Sequence, residues 1–349
     1  MREGSGIGIA RDIYMQGIFR ASIAYALSAL ALTGWLYGDA ARLIWEAGAT
    51  VHASAGMMIG AAGRIWPWLL IGFALLGRRR IAARMAPLVF VTGATLLLTF
   101  GFSFAKNAIP VLVPYYADPA LAAFDNWLHF GRDPWRIAHD LLGDRGPGGM
   151  PWLYLMVWGL CAIGFPVVVA ATDPDFARAR RYLWLFFASW LVIGNVLALA
   201  GSSVGPVYYD RLTGTERFGE LTLALAASGL SETGIGVIQE WLWQRYLGGG
   251  LDLGLGISAF PSMHVAVAAI VALYLAERSR WLAPLGGLFL LSIFFVSVYT
   301  GYHYAIDGYV ACLVVLAGHF GLRHLSGVKK RKNVAHSRCV TIASFRQVS

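Results

Sequence analysis

Long, uninterrupted apolar stretches alternate with short polar segments along most of this chain. About eight of these stretches approach the roughly 20 residues that a helix needs to cross the hydrocarbon core of a bilayer. They cover residues 20–38, 62–77, 85–105, 150–171, 182–203, 260–276, 281–300 and 304–322. The pattern predicts an all-α fold, a polytopic transmembrane helical bundle with about eight spans, and the amphipathic stretch 40–60 is expected to lie in the interface.

The composition agrees with a membrane protein. Hydrophobic residues make up 58% of the 349 residues and charged residues only 13%, whereas a soluble domain carries about 25% charged residues. The net charge of +9 comes from short basic clusters beside apolar stretches. Clusters of this kind are typical of loops on the cytoplasmic face, so we expect no nucleic acid partner.

The basic residues also indicate an orientation. If the N-terminus is cytoplasmic, the short arginine-rich loops at 78–84, 178–181 and 278–280 fall on the same side as the basic tail. This is the positive-inside pattern. We therefore predict a multi-pass protein of the plasma (inner) membrane, with cytoplasmic termini and a site that faces outward.

The chain has three cysteines, Cys161, Cys312 and Cys339. An odd number, mostly within apolar segments, predicts packing residues rather than a disulfide framework. Neither the cysteines nor the carboxylates have the spacing of metal ligands. We therefore predict neither a metal site nor another cofactor.

Residues that could bind a ligand or catalyse a reaction lie at three span ends, and this topology places the three ends on one side of the membrane. The first group begins at Lys106, the second is the segment 260–264, and the third is the segment 299–307. Ionisable residues at span ends are costly unless they are paired or hydrated, so they indicate function. Because the three groups share a face, we expect them to form one site.

Within the third group, His303 and Asp307 are one helical turn apart. At that spacing a carboxylate can hold one imidazole nitrogen and leave the lone pair of the other nitrogen free to attack. The alternative is a helix-capping carboxylate beside an interfacial histidine, and this pair alone does not decide between the two.

The other two groups suit phosphate chemistry. Pro261 is expected in the first turn of a helix, where Ser262 and free N–H groups would offer a seat for a phosphate. His264 could protonate a departing oxygen there, and Lys106 could contact the phosphate as a compact positive charge. The alternatives are a hydrogen-bonded interfacial histidine and a lysine that snorkels to the headgroups.

These residues resemble the motifs of the type-2 phosphatidic acid phosphatase superfamily, which are Lys-x6-Arg-Pro, Pro-Ser-Gly-His and Ser-Arg-x5-His-x3-Asp. Lys106 is followed, after six residues, by Val113-Pro114, and the second motif is similar to Pro261-Ser262-Met263-His264. His303 and Asp307 match the third motif at the family spacing. The resemblance covers about residues 106–311.

The chain departs from the motifs at several positions. Val113 and Ser297 stand where the family has arginine, Met263 where it has glycine, and Val296 where it has serine. These departures resemble the branch of inositol phosphorylceramide synthase and its bacterial relatives, in which His-Tyr-x-x-Asp is typical. The stretch 124–135 is also similar to bacterial members.

The resemblance implies a function and roles for the residues. His303 would attack phosphorus and form a phosphohistidine, Asp307 would orient it, and His264 would protonate the leaving oxygen. The substrate would be a phosphorylated membrane lipid, and the acceptor water or an alcohol, with the branch favouring inositolphosphotransferase-like transfer. Replacements for the missing arginines would be Lys106, Arg132 and Arg211.

We divide the chain into accessory spans (1–84), a catalytic membrane domain with a six-helix core (85–325) and a basic cytoplasmic tail (326–349). A transporter, or a structural protein with a relict site, is the alternative. Transporters carry polar residues at mid-membrane depth, and here Asn195 and His319 are the main ones. The gathering of ionisable residues at span ends favours the enzyme, while the oligomeric state stays open.

Overall fold

The computed structural model describes residues 2–38, 45, 85–143, 146–248 and 256–345, and in this part of the chain it is all-α. The helices are α1 (Arg2–Tyr37), α2 (Met85–Leu112), α3 (Asp118–Leu128), α4 (Pro134–Leu142), α5 (Trp152–Thr172), α6 (Phe176–Ala200), α7 (Pro206–Thr213), α8 (Gly219–Ala227), α9 (Gly234–Leu247), α10 (Met263–Arg278), α11 (Ala283–Tyr299) and α12 (Ala305–Phe345).

Five of the described helices are long and apolar enough to cross a membrane, which confirms a multi-pass protein. They are α2, α5, α6 and the segments Arg11–Tyr37 of α1 and Ala305–Leu325 of α12. The predicted spans at 260–276 and 281–300 form α10 and α11, which have only 16 and 17 residues. At 1.5 Å per residue each rises about 25 Å, less than the roughly 30 Å of a hydrocarbon core.

The described residues thus contain five helices of sufficient length, against the eight spans that the pattern predicted. The predicted span at 62–77 lies outside the described residues, as does the amphipathic stretch 40–60 except for Trp45.

Helix α10 lies at the centre of the bundle. It packs against α5, α6, α11 and α12, and its residues 265–271 are all buried. A helix that is apolar all round suits such a position, because each of its faces meets another helix. The second motif, at the start of α10, is thus held by the core.

Helix α1 packs along α2. The two backbones approach closely at Gly101, where an added Cβ would lie 2.8 Å from the Cα atom of Ala26. Small residues allow such close approach of membrane helices, which associate through packing rather than through hydrophobic burial. This contact fixes α2, the helix that carries Lys106.

Two of the long helices contain π-helical segments, Trp152–Val157 in α5 and Val192–Leu197 in α6. Such segments are often found at functional sites because they re-aim side chains. Both contribute residues to the cavity described below, Tyr154 and Leu155 from α5 and Gly194 from α6.

Candidate active site

A cavity of about 330 Å³ contains three of the predicted site residues, Lys106, His264 and His303. Helices α2, α5, α6 and α9 form most of its walls, together with the segments before α10 and α12. The wall side chains are mainly apolar or aromatic, and they include Phe102, Tyr154, Trp158, Trp190, Tyr208, Leu242 and Tyr302. The cavity thus has a small polar region, formed by Lys106, His264 and His303, within mainly apolar walls.

The predicted contact between His303 and Asp307 is confirmed. Nδ1 of His303 lies 3.2 Å from Oδ2 of Asp307, and both side chains are buried. The same carboxylate oxygen accepts the backbone N–H of Tyr304 at 3.1 Å. This second bond fixes the carboxylate, so the imidazole is held in one orientation with Nε2 away from Asp307.

His303 lies in the loop between α11 and α12 and lines the cavity. Burial and, to a smaller extent, the Lys106 ammonium lower its pKa to about 3, although a backbone hydrogen bond to Ala259 opposes both. The ring is therefore neutral near pH 7, and a neutral imidazole is the form that can act as a nucleophile.

His264 occupies the first turn of α10, and its ring is held between two aromatic side chains. The centroid of Tyr154 lies 4.2 Å away at an interplanar angle of 8°, and that of Trp158 lies 4.0 Å away. The indole N–H of Trp158 also donates to the His264 carbonyl oxygen at 3.0 Å. The position of this imidazole is thus determined by packing.

The rings of His264 and His303 face the same cavity, with their centroids 6.0 Å apart and an interplanar angle of 61°. The second and third groups therefore lie together at one cavity, as the topology predicted. Two imidazoles at this separation can flank a single phosphorus, one on the attacking side and one on the leaving side.

Lys106 lies within α2 rather than at its end. The helix continues to Leu112, whereas the apolar pattern predicted an end near residue 105. Lys106 forms no hydrogen bond or ion pair with any residue that the structure describes, and it lines the cavity. Its ammonium group is therefore available to an anion there.

Gly256 allows this arrangement around the lysine. An added Cβ at Gly256 would lie 2.8 Å from the carbonyl oxygen of Lys106. Only glycine permits the segment before α10 to lie this close to α2.

Ser262 and Pro261 differ from their predicted positions. Ser262 is the N-cap of α10, and its hydroxyl accepts the backbone N–H of Val265 at 3.3 Å. Pro261 therefore precedes the helix instead of occupying its first turn. Ser262 is fully buried and is not among the residues that line the cavity, so its hydroxyl serves the helix start.

The start of α10 still points to anion binding. The first N–H groups of a helix have no intrahelical acceptor and attract anions. Met263 and His264 hold these positions, and both line the cavity.

The two candidate arginines are not brought into the cavity. Arg132 forms an ion pair with Asp140, and both side chains are exposed. Arg211 pairs with Glu240 at 2.7 Å and lies over the ring of Trp243. Neither arginine is among the residues that line the cavity.

Ser297, at the family's arginine position, also turns away from the cavity. Its hydroxyl donates to the carbonyl oxygen of Phe294 at 2.8 Å, within its own helix. Its carbonyl oxygen accepts the backbone N–H of His303 at 3.2 Å. The residue therefore shapes the loop that carries His303.

Sequence reasoning missed Asp118, a buried carboxylate on α3. It accepts the backbone N–H groups of Val204 and Gly205, each at 2.9 Å, and the hydroxyl of Tyr304 at 3.0 Å. Burial raises the pKa of Asp118, and these donors oppose the shift. The carboxyl ties the segment before α7 to the loop that carries His303.

Asp125, which lies in the same helix α3 as Asp118, has a similar role. It accepts the backbone N–H groups of Ala305 and Ile306, each at 3.0 Å. Burial raises its pKa too, again opposed by these donors. Asp125 belongs to the stretch 124–135 that resembled bacterial relatives, which was the available signal, whereas only an aspartate before proline marked Asp118.

The family comparison covers most of this site. The model of the PAP2 superfamily matches residues 119–321, more than half of the chain, and includes His264, His303 and Asp307. No curated protein and no solved structure gives a match. The match bears out the resemblance at the level of the superfamily and does not resolve a branch within it.

Proposed function

We propose, from the premise that the chain belongs to the PAP2 superfamily, that it is an integral membrane enzyme of phosphoryl transfer. Its substrate class is a phosphorylated membrane lipid, with a monoester or a diester at phosphorus, and it acts through a phosphohistidine. The observation that carries the proposal is the cavity in which His264 and His303 lie 6.0 Å apart beside Lys106. An apolar enclosure around these groups suits an amphiphilic substrate.

In the first step, Nε2 of His303 attacks phosphorus, and the bond between phosphorus and the leaving oxygen breaks. Burial, His303 and Lys106 lower the pKa of His264, whereas the negative charge of a bound phosphate favours its imidazolium form. In that form His264 supplies a proton to the leaving oxygen, so the first product departs as a neutral alcohol. Asp307 holds Nδ1–H of His303 and stabilises the positive charge that develops on the ring. The contact of 3.2 Å between these side chains supports this role.

In the second step, an acceptor hydroxyl attacks the phosphohistidine. His264, now neutral, takes the proton of the hydroxyl, the N–P bond breaks, and His303 returns to its starting state. Water as the acceptor gives hydrolysis, and an alcohol gives transfer. Inositolphosphotransferase-like transfer is the form we propose, because the departures from the family motifs resemble that branch.

Charge stabilisation at phosphorus comes from Lys106 and from the start of α10. The ammonium group has no protein partner among the described residues, and the helix start offers N–H groups to the phosphate oxygens. We assign these two features to phosphate binding in place of Ser262, Arg132 and Arg211.

The proposal extends to the placement of the enzyme. Residues 85–325 form the catalytic membrane domain, preceded by accessory spans at 1–84 and followed by the basic tail at 326–349. The arginine-rich short loops support cytoplasmic termini in the plasma (inner) membrane, with the site at the outer leaflet.

The experiment that tests the proposal uses the full chain, purified in detergent with a metal chelator present. Phosphatidate, a prenyl pyrophosphate, and phosphatidylinositol together with a lipid alcohol are supplied separately, and both free phosphate and new phospholipids are measured. Turnover of at least one substrate supports the enzyme, and a new phospholipid identifies transfer. No turnover of any substrate by folded protein would leave the transporter or structural alternative standing.

A further inference from the structure

We infer that the hydroxyl of Tyr154 binds a phosphate oxygen of the substrate, and this inference rests on the proposed function. Tyr154 would thus be a further substrate-binding residue, in addition to Lys106 and the start of α10. None of the motifs in the sequence contains it.

The hydroxyl of Tyr154 is buried without a partner. The residue is 1% exposed and lines the cavity, yet its hydroxyl forms no hydrogen bond with any residue that the structure describes. A buried hydroxyl without a partner destabilises a fold, and such groups are rare in native proteins. A ligand in the cavity would provide the missing acceptor.

Two stacking contacts hold the ring that carries this hydroxyl. The ring of Tyr154 is parallel to that of His264, at 4.2 Å and 8°, and to that of Tyr302, at 5.9 Å and 10°. The ring therefore lies against the imidazole to which we assign proton transfer. A phosphate that contacts the His264 ring would therefore also lie close to the side chain of Tyr154.

The other tyrosines of the cavity wall differ in this respect. The hydroxyl of Tyr208 donates to the Gln239 carbonyl oxygen at 2.9 Å, and that of Tyr302 donates to the Ile235 carbonyl oxygen at 3.4 Å. Their hydroxyls thus have hydrogen-bond acceptors within the protein, whereas the hydroxyl of Tyr154 has none among the described residues.

Trp190 is a second cavity residue with an unpartnered buried donor, its indole N–H. Its ring packs against that of Phe102, with centroids 4.7 Å apart. Of these two residues, Tyr154 is the one whose ring contacts one of the two histidines.

The positive charge of the cavity suits a phosphate as the ligand. Among the described residues that line it, Lys106 is the one lysine or arginine, and Val113 and Ser297 stand where the family motifs have arginine. A phosphoryl group in transfer spreads its charge over three oxygens and needs several donors. A phenol O–H supplies one such donor and gains a strong, charge-assisted bond.

The test compares the full-length wild type with Tyr154→Phe in detergent. The probes are p-nitrophenyl phosphate for turnover and orthovanadate, a phosphate analogue, for inhibition and thermal stabilisation. We expect kcat/KM to fall about 10- to 100-fold and the inhibition constant of vanadate to rise by a similar factor. Without ligand, the melting temperature should be unchanged or higher, because the variant removes an unsatisfied buried hydroxyl.

Tyr182→Phe is the matched control. Tyr182 is equally buried, but its hydroxyl donates to Glu277 at 3.0 Å, and it does not line the cavity. We expect this control to keep the turnover and the vanadate response of the wild type.

Two results would overturn the inference. One is Tyr154→Phe with wild-type turnover and vanadate response. The other is a variant whose losses come with a lower melting temperature in the absence of ligand, since that indicates a structural role. Failure of the proposed function looks different, because the wild type itself would then neither turn over the phosphate ester nor be stabilised by vanadate.

Discussion

Asp125 accepts the backbone N–H of Ala305 at 3.0 Å, a contact between residues 180 positions apart in the chain. The same carboxylate accepts the N–H of Ile306 at 3.0 Å. A carboxylate at a helix N-terminus satisfies N–H groups that have no intrahelical acceptor and interacts favourably with the helix dipole. The start of α12, and with it the spacing of His303 and Asp307, therefore depends on a side chain of α3.

We expect Asp125→Asn to destabilise the protein by about 1–3 kcal/mol, because one of the two N–H groups would face an amide NH₂ instead of an oxygen. Activity should fall as well, since the loop that carries His303 loses an anchor. Thermal unfolding in detergent and turnover of the best substrate measure the two effects. Asp140→Asn is the control, because Asp140 is exposed and pairs only with the exposed Arg132; equal effects of both variants would contradict the assignment.

The two histidines are expected to differ in their dependence on the leaving group. His264→Gln should reduce turnover of a lipid phosphate by about 10²- to 10⁴-fold, since an alkoxide leaves poorly without a proton. A p-nitrophenolate ion leaves without protonation, so turnover of its phosphate ester should fall much less. His303→Ala should abolish turnover of both esters. If His303→Ala instead keeps the same rate as His264→Gln with either ester, the two histidines do not have separate roles.

Asp307→Asn tests the orientation of the nucleophile. The asparagine oxygen can still accept the N–H of Tyr304, but it presents no charge to the imidazole that becomes positive during the reaction. We expect kcat to fall on the order of 10³- to 10⁴-fold at an unchanged melting temperature. Asp210→Asn, whose parent carboxylate accepts the N–H of Phe218 outside the cavity, should keep its turnover; a comparable loss there would indicate a general effect of carboxylate removal.

The ion pair of Asp133 with Arg217 predicts a dependence of stability on pH. The guanidinium donates to both carboxylate oxygens, at 2.7 and 2.6 Å, and Asn126 donates to one of them at 2.8 Å. Burial raises the pKa of Asp133, but these bonds outweigh it, and the net shift is downward.

Because its folded-state pKa is depressed, this carboxylate stabilises the fold at pH values above its unfolded pKa of about 3.9. That stabilisation is lost as the pH falls below this value through the folded-state pKa. We expect Asp133→Asn to cost about 1–2 kcal/mol at pH 7, since Arg217 is about one-third exposed. Its difference from the wild type should shrink between pH 4 and 2, and a constant difference in thermal unfolding would contradict the assignment.

The apolar pattern predicted the fold class and the approximate positions of the five described helices that are long and apolar enough to cross a membrane. Its failures have physical causes. The pattern ends α2 near residue 105 because Lys106 and Asn107 are polar, but the helix continues since the cavity accepts Lys106 and the Asn107 side chain donates to the Ser103 carbonyl oxygen at 3.0 Å. Hydropathy alone does not show that a polar residue faces a cavity.

Short-range spacing predicted the contact of His303 with Asp307 on the premise that a helix begins near His303. In the structure α12 begins at Ala305, so the contact joins the preceding loop to the first turn of the helix. Topology predicted that His264 would join them. Neither spacing nor topology could predict the roles of Asp118 and Asp125, because their carboxylate oxygens accept backbone N–H groups of segments that are distant in the sequence. Arg132 and Arg211 were proposed for their charge, and the structure gives each an acidic partner outside the cavity, which no spacing rule anticipates.

The long reach of these carboxylates has a consequence for how the protein is made. Asp118 is translated 186 residues before Tyr304, whose hydroxyl it accepts, and Asp125 precedes Ala305 by 180. At about 5–20 residues per second, ribosomes need on the order of ten seconds or more to supply those partners. During that interval Asp118 lacks the Tyr304 hydroxyl and Asp125 lacks both of its backbone donors, so α3 anchors the loop that carries His303 only after the start of α12 has been made.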